Sequence, residues 1–217
     1  MKIALIGATG FVGSAVLTEA LQRGHSVVAL ARDPAKLAPQ ANLSVVQADA
    51  RDAAQVAAGV AGADAVVNAY NPGWTAPDLH DAFLAGSRAI VAGVKQSGVK
   101  RLLIVGGAGS LYVAPGVQLV DTPAFTDHVP ANIIPGALAA RQALTEIRSE
   151  AELDWTFLSP AAMLAPGERT GRFRLGGEDL LMDGPAPAGI SVADLAVAIV
   201  DELEQNRHVR QRFTAAY

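Results

Sequence analysis

The feature that most constrains the fold is a junction at the start of the chain. The apolar run Ile3, Ala4, Leu5, Ile6 passes directly into Gly7-Ala8-Thr9-Gly10-Phe11-Val12-Gly13, and a helix-like stretch follows to Arg23. A short apolar run reads as a buried strand, and glycines at its end give the backbone freedom for a tight turn into a helix. The same alternation recurs: strand-like runs at 26–30, 43–47, 65–68, 101–105 and 155–158 are separated by helix-like segments at 34–37, 52–59, 78–96 and 136–150. Several of the strands are apolar almost throughout, the mark of a parallel sheet covered on both faces. Right-handed β-α-β crossovers of this kind build an α/β fold, a Rossmann-type doubly wound parallel sheet. Its ligand crevice lies at the C-terminal ends of the strands.

A chain of 217 residues fits one domain spanning 1–217. Residues 160–190 are rich in Pro and Gly and read as an irregular substrate-side insertion, within which the alternation Arg172, Phe173, Arg174, Leu175 predicts a short strand or hairpin. Residues 191–204 then read as an amphipathic helix with Ser191 as N-cap and Asp194 closing a capping box, and 211–215 read as a closing edge strand. A net charge of -4 argues against nucleic acid as a partner. No segment approaches the roughly 20 apolar residues of a membrane span, and four apolar residues before Gly7 are too few for a signal peptide. The absence of cysteine removes disulfides, thiolate metal sites and a cysteine nucleophile. The expectation is a soluble, cytoplasmic protein that acts on a small molecule, with no metal; His80 beside Asp78 and Asp81 reads as a solvated helix start.

Within the glycine loop each residue type has a physical task. Gly7 permits the turn, Gly10 lets a pyrophosphate approach the backbone, and Gly13 lets the helix pack against the sheet. The amides of Gly10, Phe11 and Val12, with Thr9 beside them, would face phosphates at a helix N-terminus, where the macrodipole favours negative charge. The end of the second strand then selects the cofactor. An acidic residue there would hold the 2'-hydroxyl of NAD, whereas Leu30-Ala31-Arg32 offers a guanidinium to the 2'-phosphate of NADP. Asp33 competes for the first role, but Asp33-Pro34 also reads as an N-cap with proline at the first helical position. NADP(H) is therefore favoured over NAD(H). By the crevice rule, Asp49 and Ala50 fall near the adenine, and Asn68, Ala69 and Tyr70 near the ribose.

The motifs GATGFVG, LARDP, VGGAGS and LDWTFLSPA, with the closing ISVADLAVAIVDELE, carry a resemblance. The chain resembles the atypical short-chain dehydrogenase/reductase superfamily, and within it the NADH-flavin reductase type related to the NmrA-like and biliverdin-IX-beta reductase groups. The resemblance implies a backbone at Ser159, Pro160 and Ala161 that holds the nicotinamide carboxamide, and a serine, here Ser110, near substrate or nicotinamide. It also exposes a gap. Superfamily members of the usual type carry Tyr-x-x-x-Lys on the helix before the sixth strand; a gapless carry-over puts Ala137 at the tyrosine and Arg141 at the lysine. Arg141 would still be free to bond the nicotinamide ribose. Tyr112 and His128 are the remaining candidate acids after the fifth strand.

Reduction of an isolated carbonyl gathers charge on one oxygen and calls for a positioned acid, whereas a flavin spreads the charge over a conjugated ring. The missing tyrosine and the resemblance thus imply an NADPH-dependent oxidoreductase that passes hydride to FMN, FAD or a similar small-molecule acceptor. Two alternatives stay open: an NADP(H)-sensing regulator without turnover, and a carbonyl reductase using Tyr112 or His128.

Overall fold

A computed structural model describes all residues, 1–217. The elements run β1 (Lys2–Ile6), α1 (Phe11–Gln22), β2 (Ser26–Ala31), β3 (Leu43–Gln47), α2 (Ala53–Val60), β4 (Ala65–Asn68), α3 (Leu79–Ser97), β5 (Arg101–Val105), β6 (Tyr112–Ala114), β7 (Val117–Gln118) and α4 (Pro123–His128). They continue with α5 (Ile134–Ile147), β8 (Asp154–Pro160), β9 (Met163–Ala165), β10 (Arg174–Gly176), β11 (Met182–Asp183), β12 (Ala186–Pro187), β13 (Gly189–Ser191), α6 (Val192–Gln205) and β14 (Gln211–Ala216). One eight-stranded sheet has the order β10-β14-β8-β5-β4-β1-β2-β3. Every pairing in it is parallel except that of β10 with β14. This is a Rossmann-like α/β fold, and the order reverses between β1 and β4, where a doubly wound sheet opens its crevice.

Alternate residues of each strand feed two cores. Ile3 and Leu5 of β1 pack with Val67, Leu103 and Leu158 against Val16 of α1 and Leu195 and Ile199 of α6. Ala4 and Ile6 face the other way, with Val66, Leu102 and Phe157, toward Val56 of α2, Ile90 of α3 and Ile147 of α5. Two-sided burial explains why these strands read as unbroken apolar runs.

Three readings of the sequence need correction. The segment 211–215 is not an edge strand: β14 lies between β8 and β10, and the edge is β10, the short strand expected near Arg172–Leu175. The capping box is half formed. Ser191 Oγ accepts from the Asp194 amide at 3.0 Å, but the Asp194 carboxylate turns away, and the Ser191 amide donates to the Tyr217 hydroxyl at 3.1 Å. The helix α4 was missed, although its local signal was present: Thr122 caps it by accepting from the Phe125 amide, and Pro123 starts its first turn.

Polar anchors hold the segment between β9 and α6 to the body. Arg169 makes a two-point bond with buried Glu19 at 2.7 and 2.9 Å. Fully buried Asp194 accepts from the amides of Thr170 and Gly171 at 2.8 and 2.7 Å, from the Thr170 hydroxyl and from the Tyr217 hydroxyl. The Arg169 bond, opposed by burial and reinforced by Arg23, holds the Glu19 carboxyl below its ordinary 4.5. Burial pushes Asp194 up, but its hydrogen bonds together outweigh burial and leave it below its ordinary 3.8. A carboxylate depressed in the folded state stabilises fully above its unfolded pKa and loses that contribution as pH falls through the folded value. The urea midpoint is therefore expected to hold steady down to about pH 5 and to fall below it. Amides of 169–171 should lose exchange protection first; a midpoint that rises on acidification would contradict this.

Candidate functional site

At the reversal point the turn after β1 is held by glycine geometry. Gly7 has φ +86°, and a Cβ built there would lie 2.3 Å from the Ala69 carbonyl oxygen. A Cβ at Gly13 would lie 2.0 Å from the Gly7 carbonyl oxygen, so α1 seats directly on the turn. Gly10 is the N-cap of α1 and supplies no side chain to its amides, and no acidic residue occupies the first turn. The dipole of α1 is thus left uncompensated at a place where the chain fits an anion. One correction applies: the Gly10 amide donates to the Gly7 carbonyl at 2.9 Å and closes the turn, so it is already engaged within the chain.

A crevice opens beside this turn. Gly7, Thr9, Gly10, Arg32, Asp49, Ala50, Ala69 and Tyr70 line it, as do Pro72 and Asp78, and Lys36 and Arg51, which the sequence reading did not single out. Asp33 also borders it, with Oδ1 accepting from the Ala35 amide at 3.2 Å as the N-cap of a short 3-10 turn, Pro34–Lys36. Arg32 and Lys36 have no ion-pair partner, while Arg51 is held two-pronged by Asp49, Nη2 to Oδ2 at 3.1 Å and Nε to Oδ1 at 3.3 Å. That bond holds the Asp49 carboxyl below its ordinary range. The spacing of Lys36, four residues after Arg32, was the available signal for a second cation.

The fourth strand shapes the crevice from behind. Asn68 is buried and is not among the residues lining the crevice: its Oδ1 accepts from the Tyr70 amide at 3.0 Å and sets the turn. Tyr70 donates to the Ala82 carbonyl at 3.3 Å, its ring lies where a Cβ on Gly86 would come within 2.2 Å, and burial raises its phenol pKa. Phe11 points outward and is exposed, Val12 is half-buried and Gly13 is buried.

The structure does not bring the candidate catalytic residues to this crevice. Arg141 Nη1 is bound to Asp121 at 2.8 and 2.9 Å and approaches Gln118 at 3.4 Å, so its charge is already engaged on the surface of α5. Ala137 packs as a small apolar contact: a Cβ on Gly109 would lie 3.5 Å from it and 3.2 Å from Val120. Ser110 is buried, and its hydroxyl accepts from Arg212 at 3.0 Å rather than facing the crevice. Tyr112 lines a separate cavity, and exposed His128 bonds the Ala124 carbonyl within its own helix. For Arg141 and Ser110 a side chain distant in sequence, Asp121 or Arg212, has taken the group. Ser159 and Pro160 end β8 and Ala161 follows it, all three buried, and Ser159 Oγ has no partner. Trp74 is half exposed and packs on Gly136, and Trp155 is core, with Nε1 donating to the Glu150 carbonyl.

Comparison with known proteins extends these observations. A family model described as NAD(P)H-binding matches residues 7–206. A solved structure named "putative exported protein" from Burkholderia pseudomallei is 47% identical, with TM-score 0.87 and all of both chains covered. One named "putative epimerase" from Bacteroides thetaiotaomicron is 45% identical, with TM-score 0.91, all of this chain and 96% of that one covered. A "putative NADH-flavin reductase" from Streptococcus pneumoniae is 33% identical, with TM-score 0.83, all of this chain and 99% of that one covered. With its glycine turn, uncapped helix start and reversal-point crevice, the chain belongs to the NAD(P)H-binding family, within the atypical short-chain dehydrogenase/reductase superfamily.

Proposed function

We propose that the protein is an NADPH-dependent reductase whose acceptor is a flavin such as FMN or FAD, or another small conjugated molecule. The observation that carries the cofactor half is the pair of unpaired cations, Arg32 and Lys36, at the end of β2. Asp33, the competing ligand for an NAD ribose, spends one carboxylate oxygen on its own turn. A planar guanidinium and a nearby ammonium match the charge and geometry of a 2'-phosphate. The Phe11 and Val12 amides hold the pyrophosphate, and the backbone at Ser159–Ala161 orients the carboxamide. When bound, the cofactor supplies the hydride.

The acceptor half rests on what stands at positions 137 and 141. A small apolar contact and an engaged arginine give no hydroxyl backed by a cation, so the chain's contribution is orientation and exclusion of water rather than proton donation. A ring that delocalises the incoming charge suits such a site. The name of the pneumococcal neighbour supports the same class. We place the activity in the cytoplasm, where reduced nicotinamide cofactors are regenerated, although the Burkholderia neighbour is named as exported.

Loss of nicotinamide absorbance with FMN as acceptor tests the reading: turnover is expected with FMN and none with a simple aldehyde. Tight NADPH binding with no turnover of any acceptor would overturn it in favour of a sensor. Arg32→Ala is expected to weaken NADPH by about 1–3 kcal/mol, the value of a charged hydrogen bond, and to leave NADH nearly unchanged. Equal losses for both cofactors, read by calorimetry, would remove Arg32 from the 2'-phosphate.

A further inference from the structure

Arg212 lies within the sheet on β14, its side chain fully shielded from solvent. Its strand neighbour is Phe157 of β8, whose own neighbour is Ile104 of β5. From there the guanidinium reaches two segments at once. One nitrogen donates to the Ser110 carbonyl and hydroxyl at 2.9 and 3.0 Å; the other donates to the Glu178 carbonyl at 2.8 Å and to its carboxylate. Arg148 holds the same carboxylate from the solvent side at 2.8 and 2.6 Å. The segments are also joined directly, the Tyr112 amide donating to the Glu178 carbonyl at 3.0 Å and the Leu180 amide to the Tyr112 carbonyl at 2.9 Å. The Tyr112 ring sits 5.9 Å from the guanidinium carbon.

These two segments wall a cavity of about 660 Å³, with Tyr112 and Leu119 on one side and Asp179, Leu180 and Met182 on the other. A guanidinium in such a place is poorly explained by stability, because well-packed apolar residues at buried ion-pair positions are often as stable or more so. Burial disfavours its charge, Glu178 offsets only part of that, and Nε is left without a partner. What the group supplies is geometry, since a planar fork with several fixed donors sets two backbones relative to each other as no apolar side chain does.

We propose that Arg212 is a positioning residue that locks the loop after β5 to the 178–182 segment and thereby sets the shape of the cavity between them. The consequence for acceptor affinity rests on the function proposed above; the lock itself does not.

The test is Arg212→Met, which keeps side-chain volume and leaves Glu178 paired with Arg148. Hydrogen exchange at the Tyr112 and Leu180 amides should accelerate by about tenfold or more while exchange in β1, β2 and β4 stays unchanged. NADPH affinity should be unaffected and the KM for FMN should rise with kcat less affected. Arg212→Lys, which keeps a cation but only one reach, should fall between. If the Met variant does not fold, Glu178→Ala removes the carboxylate arm of the same link from a half-exposed position, leaves the bonds of Arg212 to the Glu178 carbonyl and to Ser110, and should accelerate the same two amides by less. Unchanged exchange at Tyr112 and Leu180, or acceleration spread equally through the sheet, would overturn the proposal. Absence of FMN turnover in the unaltered protein would overturn the proposed function and leave the exchange result to decide the lock.

Discussion

Gly7→Ala is expected to cost both stability and cofactor binding. At φ +86° an alanine is strained whatever space surrounds it, at roughly 1–3 kcal/mol. Here the space is also taken, because the new methyl would stand 2.3 Å from the Ala69 carbonyl oxygen and 2.7 Å from its carbon. Backbone cannot rotate aside as a side chain can, so β4 and the Ala69–Tyr70 turn must move and a further 1–3 kcal/mol, roughly, is lost to overpacking. The sum of about 2–6 kcal/mol corresponds to a fall in Tm of roughly 4–24 °C for a chain of this size. Since Gly7, Ala69 and Tyr70 all border the crevice, NADPH affinity should fall at least about tenfold beyond any change in folding. Gly24→Ala provides the control: its φ is +78° but nothing lies within 4 Å of the added methyl, so only the same backbone strain of roughly 1–3 kcal/mol applies. Equal losses for the two variants, by calorimetric unfolding, would show that the Ala69 contact does not matter.

Glu202→Ala is expected to destabilise the fold while sparing the crevice. Glu202 is buried on α6 and bonds Arg101 Nη2 at 2.7 Å, the His208 amide at 3.0 Å and His208 Nδ1 at 2.7 Å. Arg101, at the start of β5, is equally withdrawn from water and also bonds Asn206 and Thr156 at 2.8 and 2.7 Å. Burial pushes its guanidinium below the ordinary range, and the Glu202 carboxylate opposes that shift. Removing the carboxylate strands a buried cation, which costs about 3–5 kcal/mol. Replacing both partners, Arg101→Met with Glu202→Leu, should recover most of that loss, because no charge is then left uncompensated. The cluster sits at the N-terminal ends of the strands, opposite the crevice, so NADPH affinity should not move in either variant. A loss below about 1 kcal/mol for Glu202→Ala, the scale of an exposed pair, would show that water reaches Arg101.

Much of the architecture is legible in the sequence, and the reason is local. Strands such as Arg101–Val105 and Leu43–Gln47 declare themselves because a run of apolar residues has one low-energy use, and Asp52 and Ser191 mark helix starts because their side chains reach amides two or three residues on. The glycine turn was legible because only glycine accepts its backbone, and Arg32 because the end of the strand before it could be placed. What misled was inference from one residue's identity to its partner. Arg141 reads as a free cation four residues after Ala137, yet Asp121 on a preceding turn holds it. Asp194 has the right spacing for a capping box, yet the Thr170 and Gly171 amides claim its carboxylate.

By itself, then, the sequence determined the alternation of strands and helices, the glycine turn with its anion-ready helix start, and the cation at the end of β2, because each depends on backbone conformation and on neighbours within a few positions. Only the tertiary structure decided where β14 enters the sheet and which polar groups remain free for a ligand. Ser110 and Arg212 stand 102 positions apart and Arg101 and Glu202 stand 101 apart. No periodicity reports on a pair so distant, and hydrogen bonding with desolvation in the folded chain selects one partner among many.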